Sequence, residues 1–276
     1  MLLLHGRAEF LEKYDETARE LIARRFHVVS FDWRGQGLSA RLLANPRKGH
    51  VGAFADYLDD LAAVIAWAVA EGLPAPYWVL AHSMGGLVAL SHLARQPEGA
   101  GPPLAGVAVT APLLGLARGP SQERAMAAVA GLAVRHGLGG AYAVRQSDRH
   151  VADKGFTANP LTADRLRFEE LRGYMDANPA LRLGGVTWGW LHQAMGAMFA
   201  LRRGEVGGLA RTPVLILGAE NERVVRNSAF RPFAGRCGTA SIVTLAGSGH
   251  EILRERDAVR EAFWTATDGF LRDIGL

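Results

Sequence analysis

Through most of this 276-residue chain, short apolar runs closed by glycine-rich turns alternate with longer stretches in helical period. Residues 2–4, 28–31, 78–81, 104–110, 214–217 and 242–245 read as strands, since apolar runs this short, bounded by turn residues, fit strands covered on both faces. Between them, 14–25, 54–71, 85–96, 227–236 and 254–272 read as helices. In the second of these, Leu58, Leu61, Ile65 and Val69 form one apolar stripe. Such alternation builds a mostly parallel sheet with helices on both faces, because each crossover must pass over the sheet. The rhythm stops between Pro112 and Gly208, where 125–136, 163–177 and 190–203 look helical and no buried strand is evident. The expected organisation is an α/β core of residues 1–111 and 208–276, with 112–207 inserted as a helical cap.

Composition narrows the function. With 49% apolar and 21% charged residues the chain can bury a large core, which excludes disorder as its main state. Cys237 is the single cysteine, so disulfide scaffolds, zinc ribbons and iron–sulfur sites are out. No His-x-x-x-His pattern suggests a metal, and no cofactor is expected. The net charge of +4 is dispersed, and the densest basic stretches, Arg24-Arg25 and Arg202-Arg203, are only pairs. Nucleic acid is therefore not an expected partner. The uncharged run 100–117 contains three prolines and reads as loop, strand, loop rather than a membrane span. The N-terminus lacks a signal-peptide pattern. A cytoplasmic location follows as the expectation, with transient contact at the inner membrane surface.

Chemistry concentrates in three places. Ala81-His82-Ser83-Met84-Gly85-Gly86 joins a strand to a helix. A sharp elbow there holds its middle residue at strained angles and lifts the side chain off the sheet, and small neighbours are needed where backbones crowd. Ser83 is the candidate nucleophile. His250, in the Gly247-Ser248-Gly249-His250-Glu251 loop after the last strand, is the candidate base. A histidine base needs a carboxylate on its other nitrogen. Glu220 and Glu222 both follow strand 214–217; Glu222, beside Arg223-Val224-Val225, is the choice and Glu220 the runner-up. An oxyanion hole needs two backbone N–H groups. Met84 supplies one, and Arg7, in the turn His5-Gly6-Arg7, is assigned the other. His5 is expected to make a structural hydrogen bond.

With these residues in place, the chain resembles α/β-hydrolases of the branch holding monoacylglycerol lipases and bacterial lysophospholipases. The matching pieces are His5-Gly6 with Glu9 and Tyr14 behind it, Asp32-Trp33-Arg34-Gly35-Gln36-Gly37-Leu38-Ser39, Gly49-His50-Val51 running on to Phe54, Tyr57, Asp60 and Leu61, then His82-Ser83-Met84-Gly85-Gly86, Glu222-Arg223-Val224-Val225 and Gly249-His250-Glu251. In the family the acid lies nine residues after the proline opening its strand, and Pro213 leads to Glu222 by that spacing. Aspartate is more usual there. The resemblance implies a serine ester hydrolase acting on a monoacyl glycerolipid or lysophospholipid, with no cofactor. It also implies about two further strands ahead of 2–4, which this sequence lacks, leaving a sheet edge open.

Other residues carry structural readings. Asp32 is expected to cap backbone N–H groups and Asp60 to be structural or solvated. Gly184-Gly185 with Trp188 and Trp190 fits cap packing or an acyl-pocket wall. Arg145, Arg149, His150 and Lys154 make a loose basic stretch, read as a solvated face or a phosphate dock. A non-catalytic lipid-binding homologue is the alternative of a different class. A triad enzyme of other chemistry, a C–C hydrolase or haloperoxidase, is a further alternative, since one constellation supports several reactions.

Overall fold

The computed structural model describes residues 1–96, 104–204 and 206–276. Five parallel strands form one sheet in the order β1 (Leu2–Leu4), β2 (Tyr77–His82), β3 (Leu104–Thr110), β4 (Val214–Ala219) and β5 (Ala240–Leu245). β1, β2 and β4 are buried along their whole length, which is why they read as unbroken apolar runs rather than alternating ones. The part of the 100–117 reading that falls on 100–103 lies outside the described residues.

Helices α1 (Asp15–Ala23), α2 (Ala55–Ala70), α3 (Met84–Arg95), α7 (Phe230–Cys237) and α8 (Asp257–Asp273) flank the sheet. α2 buries Leu58, Leu61 and Ile65 as its apolar stripe requires, while Val69, assigned to the same stripe, is exposed near the helix end. α3 is buried on nearly every side. Its sequence, apolar all round, fits a helix enclosed between the sheet and other helices.

Two expected elements differ. Residues 28–31 are half-buried and form only a bridge, Leu2 to Val29, with Leu3 N donating to Val29 O and Val29 N to Met1 O. Among the described residues no strand pairs with their other side. The helix expected over 14–25 begins with a 3-10 turn, Leu11–Tyr14, and ends at Ala23.

From β1 the chain runs out to residues 28–31 on one side and returns as β2 on the other. That reversal opens a crevice at the carboxyl ends of β1 and β2, the position where open α/β sheets bind ligands. Between β3 and β4 the described residues hold no strand of the sheet. They carry α4 (Pro120–Arg135), α5 (Arg165–Ala177) and α6 (Trp188–Arg203), joined by short 3-10 turns. α6 packs on α4 and on α3, above the crevice. No helix of the described residues is long and apolar enough to cross a membrane.

Candidate active site

Ser83 sits between β2 and α3 with φ 50° and ψ −111°, an unfavourable region for a residue with a Cβ. The surroundings over-determine it. Ser83 N donates to Thr110 O, and Ser83 O accepts from Leu87 N and Leu113 N. The glycines after it are required by space. A Cβ on Gly85 would stand 2.6 Å from His5 O and 2.8 Å from Leu4 O, so only glycine lets α3 begin against the end of β1.

The three side chains selected from sequence lie together. His250 Nε2 is 3.1 Å from Ser83 Oγ, and His250 Nδ1 is 2.8 Å from Glu222 Oε2 and 3.0 Å from Oε1. Glu222 also accepts from Val224 N and Val225 N, which fixes its carboxylate. Burial pushes the Glu222 carboxyl up, but the hydrogen bond and charge of His250 and the two N–H groups outweigh it and hold it below the ordinary value. Glu220 points elsewhere: it is exposed and accepts from Gly247 N at 2.7 Å.

The turn His5-Gly6-Arg7 closes the other side. A Cβ on Gly6 would lie 3.2 Å from Ser83 Cβ. Gly6 N donates to Glu9 Oε2 and Ala8 N to Gln36 Oε1, whereas among the described residues the N–H groups of Arg7 and Met84 make no hydrogen bond within the chain. His5 is structural in its contacts, with Nδ1 against Gly6 O and Nε2 3.4 Å from Trp33 N. Asp32 caps Leu11 N and Leu38 N, and Asp60 binds Arg34.

Arg7, Ser83, Met84 and His250 open onto a cavity of about 350 Å³, within the range of small-molecule sites. Its larger wall is apolar, with Leu113, Met126, Leu191, Met195 and Met198 among its residues. Trp190 lines the cavity too; Trp188 is half-buried and packs on the core. Of the loose basic stretch, Arg145, Arg149 and Lys154 are exposed, and His150 is buried with Nε2 on Ala8 O. Among the described residues no cluster of side chains could hold a metal ion.

A buried ionic cluster under the cavity was not assigned from sequence. Lys13 Nζ lies 2.5 Å from Glu9 Oε1 and 2.6 Å from Glu251 Oε1, and Tyr14 OH donates to Glu9 Oε2. The available signal was Lys13 four residues after Glu9 and Glu251 next to His250. His82 packs against His250 at 4.8 Å between ring centroids. Burial, only partly offset by Glu9, pulls His82 down to about 3, so it stays neutral.

A parallel sheet with a serine on a strained strand–helix elbow, facing a histidine and a carboxylate from later strand ends, defines an α/β-hydrolase. The family model described as serine aminopeptidase, S33, matches residues 1–257. The chain belongs to this family, in the α/β-hydrolase branch of lysophospholipases and monoacylglycerol lipases. It is 36% identical over 280 aligned positions to lysophospholipase L2 of Escherichia coli K12, covering 94% of this chain and 76% of that protein. It is 31% identical to the probable lysophospholipase L2 of Haemophilus influenzae, covering 98% and 83%. Among solved structures, a soluble variant of monoglyceride lipase from Saccharomyces cerevisiae superposes with a TM-score of 0.74 at 19% identity, covering 99% of this chain and 85% of that one.

Proposed function

We propose that this carboxylic-ester hydrolase cleaves a monoacyl lipid ester, a lysophospholipid or monoacylglycerol, through Ser83, His250 and Glu222. His250 Nε2 takes the proton of Ser83 Oγ as the oxygen attacks the ester carbonyl. Glu222 holds the proton on Nδ1 and stabilises the imidazolium. The N–H groups of Arg7 and Met84 receive the developing oxyanion. The alcohol leaves with the proton from His250, and a water activated by the same imidazole releases the fatty acid. No cofactor takes part.

The observation that carries this reading is the unbroken hydrogen-bond chain from Glu222 through His250 to Ser83 at the edge of a largely apolar cavity. Residues 112–207 act as the cap that closes the cavity around an acyl chain. Work in the cytoplasm with transient contact at the inner membrane surface suits a bilayer-derived substrate. Val129, Leu132, Leu138 and Val144, all exposed, give the cap apolar side chains for that contact. The test is hydrolysis of a panel of monoacylglycerols, lysophospholipids and p-nitrophenyl esters by the wild type and Ser83→Ala. Turnover confined to the wild type supports the reading; equal rates in the two proteins overturn it.

A further inference from the structure

Arg7 brings more to the cavity than its backbone N–H. Its half-buried side chain runs along the wall, with Nη1 donating to Gly184 O at 3.0 Å and Cζ 5.6 Å from the centroid of the Trp190 ring. Arg7 and Trp190 both line the cavity. A guanidinium has five N–H donors, and one that leaves bulk water is ordinarily met by a carboxylate. None of the described residues supplies one here. Glu9, the nearby acid, already accepts from Gly6 N, Tyr14 OH and Lys13 Nζ. Lys13, the other buried cation on this wall, lies between Glu9 and Glu251. Burial pulls the Arg7 guanidinium below its ordinary value, but an arginine remains charged at any working pH.

We propose that the Arg7 side chain, with Trp190 beside it, is the head-group subsite and takes the phosphodiester of a monoacyl glycerophospholipid. The assignment rests on the ester-hydrolase reading above and makes it more specific. Spacing supports it. In such a lipid the phosphorus stands as many bonds from the scissile carbonyl carbon as an arginine Nη stands from its own Cα. One residue therefore spans both ends of the reacting head group, its N–H at the oxyanion and its guanidinium at the phosphate. The planar fork of arginine matches two phosphate oxygens at once, which a lysine ammonium cannot do. A neutral monoacylglycerol leaves those donors unanswered.

The test compares kcat/KM for 1-acyl lysophosphatidylcholine and lysophosphatidylglycerol with that for the 1-monoacylglycerol of the same chain length, each below its micellar concentration. The readout is the ratio of phosphate-bearing to neutral substrate, which cancels any general loss caused by disturbing the turn. Arg7→Gln is expected to lower this ratio about 10- to 100-fold, chiefly through KM, the scale of a charged hydrogen bond. Arg7→Lys, which keeps the charge but loses the fork, is expected to give a smaller drop and serves alone if Arg7→Gln does not fold. An unchanged ratio in the folded variants overturns the proposal, as does an equal loss on all substrates. A second arm measures binding of lysophosphatidylcholine and monoacylglycerol to Ser83→Ala with and without Arg7→Gln. Selective weakening toward the phosphate lipid supports the subsite, and equal weakening contradicts it. A wild type that cleaves no ester removes the function proposed above, while the binding arm still decides the role of Arg7.

Discussion

Lys13 and Glu251 form an ion pair of 2.6 Å, with both side chains almost wholly buried, one residue along the chain from His250. The same ammonium meets Glu9, whose other oxygen holds Gly6 N, so one lysine ties the turn carrying Arg7 to the loop carrying His250. Burial lowers the Lys13 pKa, but Glu251 and Glu9 together outweigh it and hold the group above its ordinary value. A raised lysine contributes stability through the acid and neutral range and loses it only as pH rises through its folded value. Lys13→Met strands two buried carboxylates and is expected to cost about 3–5 kcal/mol. Urea unfolding at pH 7 checks this. A transition midpoint equal to that of wild type contradicts the structural importance of the pair.

Glu222 and Glu220 should separate cleanly. Glu222→Gln keeps the shape but loses the carboxylate on His250 Nδ1, and kcat is expected to fall about 10³- to 10⁴-fold. Glu220→Gln alters an exposed contact to Gly247 N and is expected to change kcat by less than about threefold, as for surface substitutions remote from the reacting atoms. Because Glu222 is held below its ordinary value, its part in stability is present above the unfolded carboxylate range. That part is lost as pH falls through the lower, folded value. Steady-state kinetics on one p-nitrophenyl ester decide the comparison. The reverse ranking of the two variants would move the acid to Glu220.

Acid should destabilise the fold through two buried histidines. Burial pulls His82 to about 3 and His150 to about 4, each from an ordinary 6.5. The unfolded chain then binds protons that the folded chain refuses, so stability declines as pH drops below 6.5 and goes on declining toward the folded values. By pH 5 each histidine is expected to cost about 2 kcal/mol relative to pH 7. Thermal melts from pH 7 to pH 5 test this. His150→Gln should flatten the slope, and a Tm that does not change over this range would contradict the assignment.

Gly85→Ala tests the elbow without touching a reacting atom. The new methyl must push against His5 O and Leu4 O, which belong to backbone and cannot swing away. A cost of about 1–3 kcal/mol is expected, with a fall in kcat because the turn carrying Arg7 N moves from Ser83. Melting and kinetics on the same preparation check both effects. Wild-type values of Tm and kcat would show that the turn and the elbow are not in tight contact.

Residues with local signatures were readable in the chain itself. Ser83 and His250 each follow the end of an apolar run, and a parallel sheet brings such ends to one edge. Strand positions were legible in the covered run 104–110 and also at 242–245, an edge strand that is largely exposed, and failed at 28–31, where a single bridge to Leu2 is all that forms. Contacts set by tertiary approach were not legible. Nothing local says that Lys13 reaches Glu251 across the whole chain, or that His150 turns inward from a basic stretch to hold Ala8 O. The choice between packing and pocket wall for Trp190 likewise depended on how α6 lies over the crevice.

If Ser83 is an activated nucleophile, a fluorophosphonate will label it covalently. Wild type treated with a fluorophosphonate and digested for mass spectrometry should carry one phosphonyl adduct on the peptide containing Ser83. His250→Gln, left without a base, should label far more slowly. A wild-type protein that stays unmodified, or that is modified at a different serine, would contradict the account.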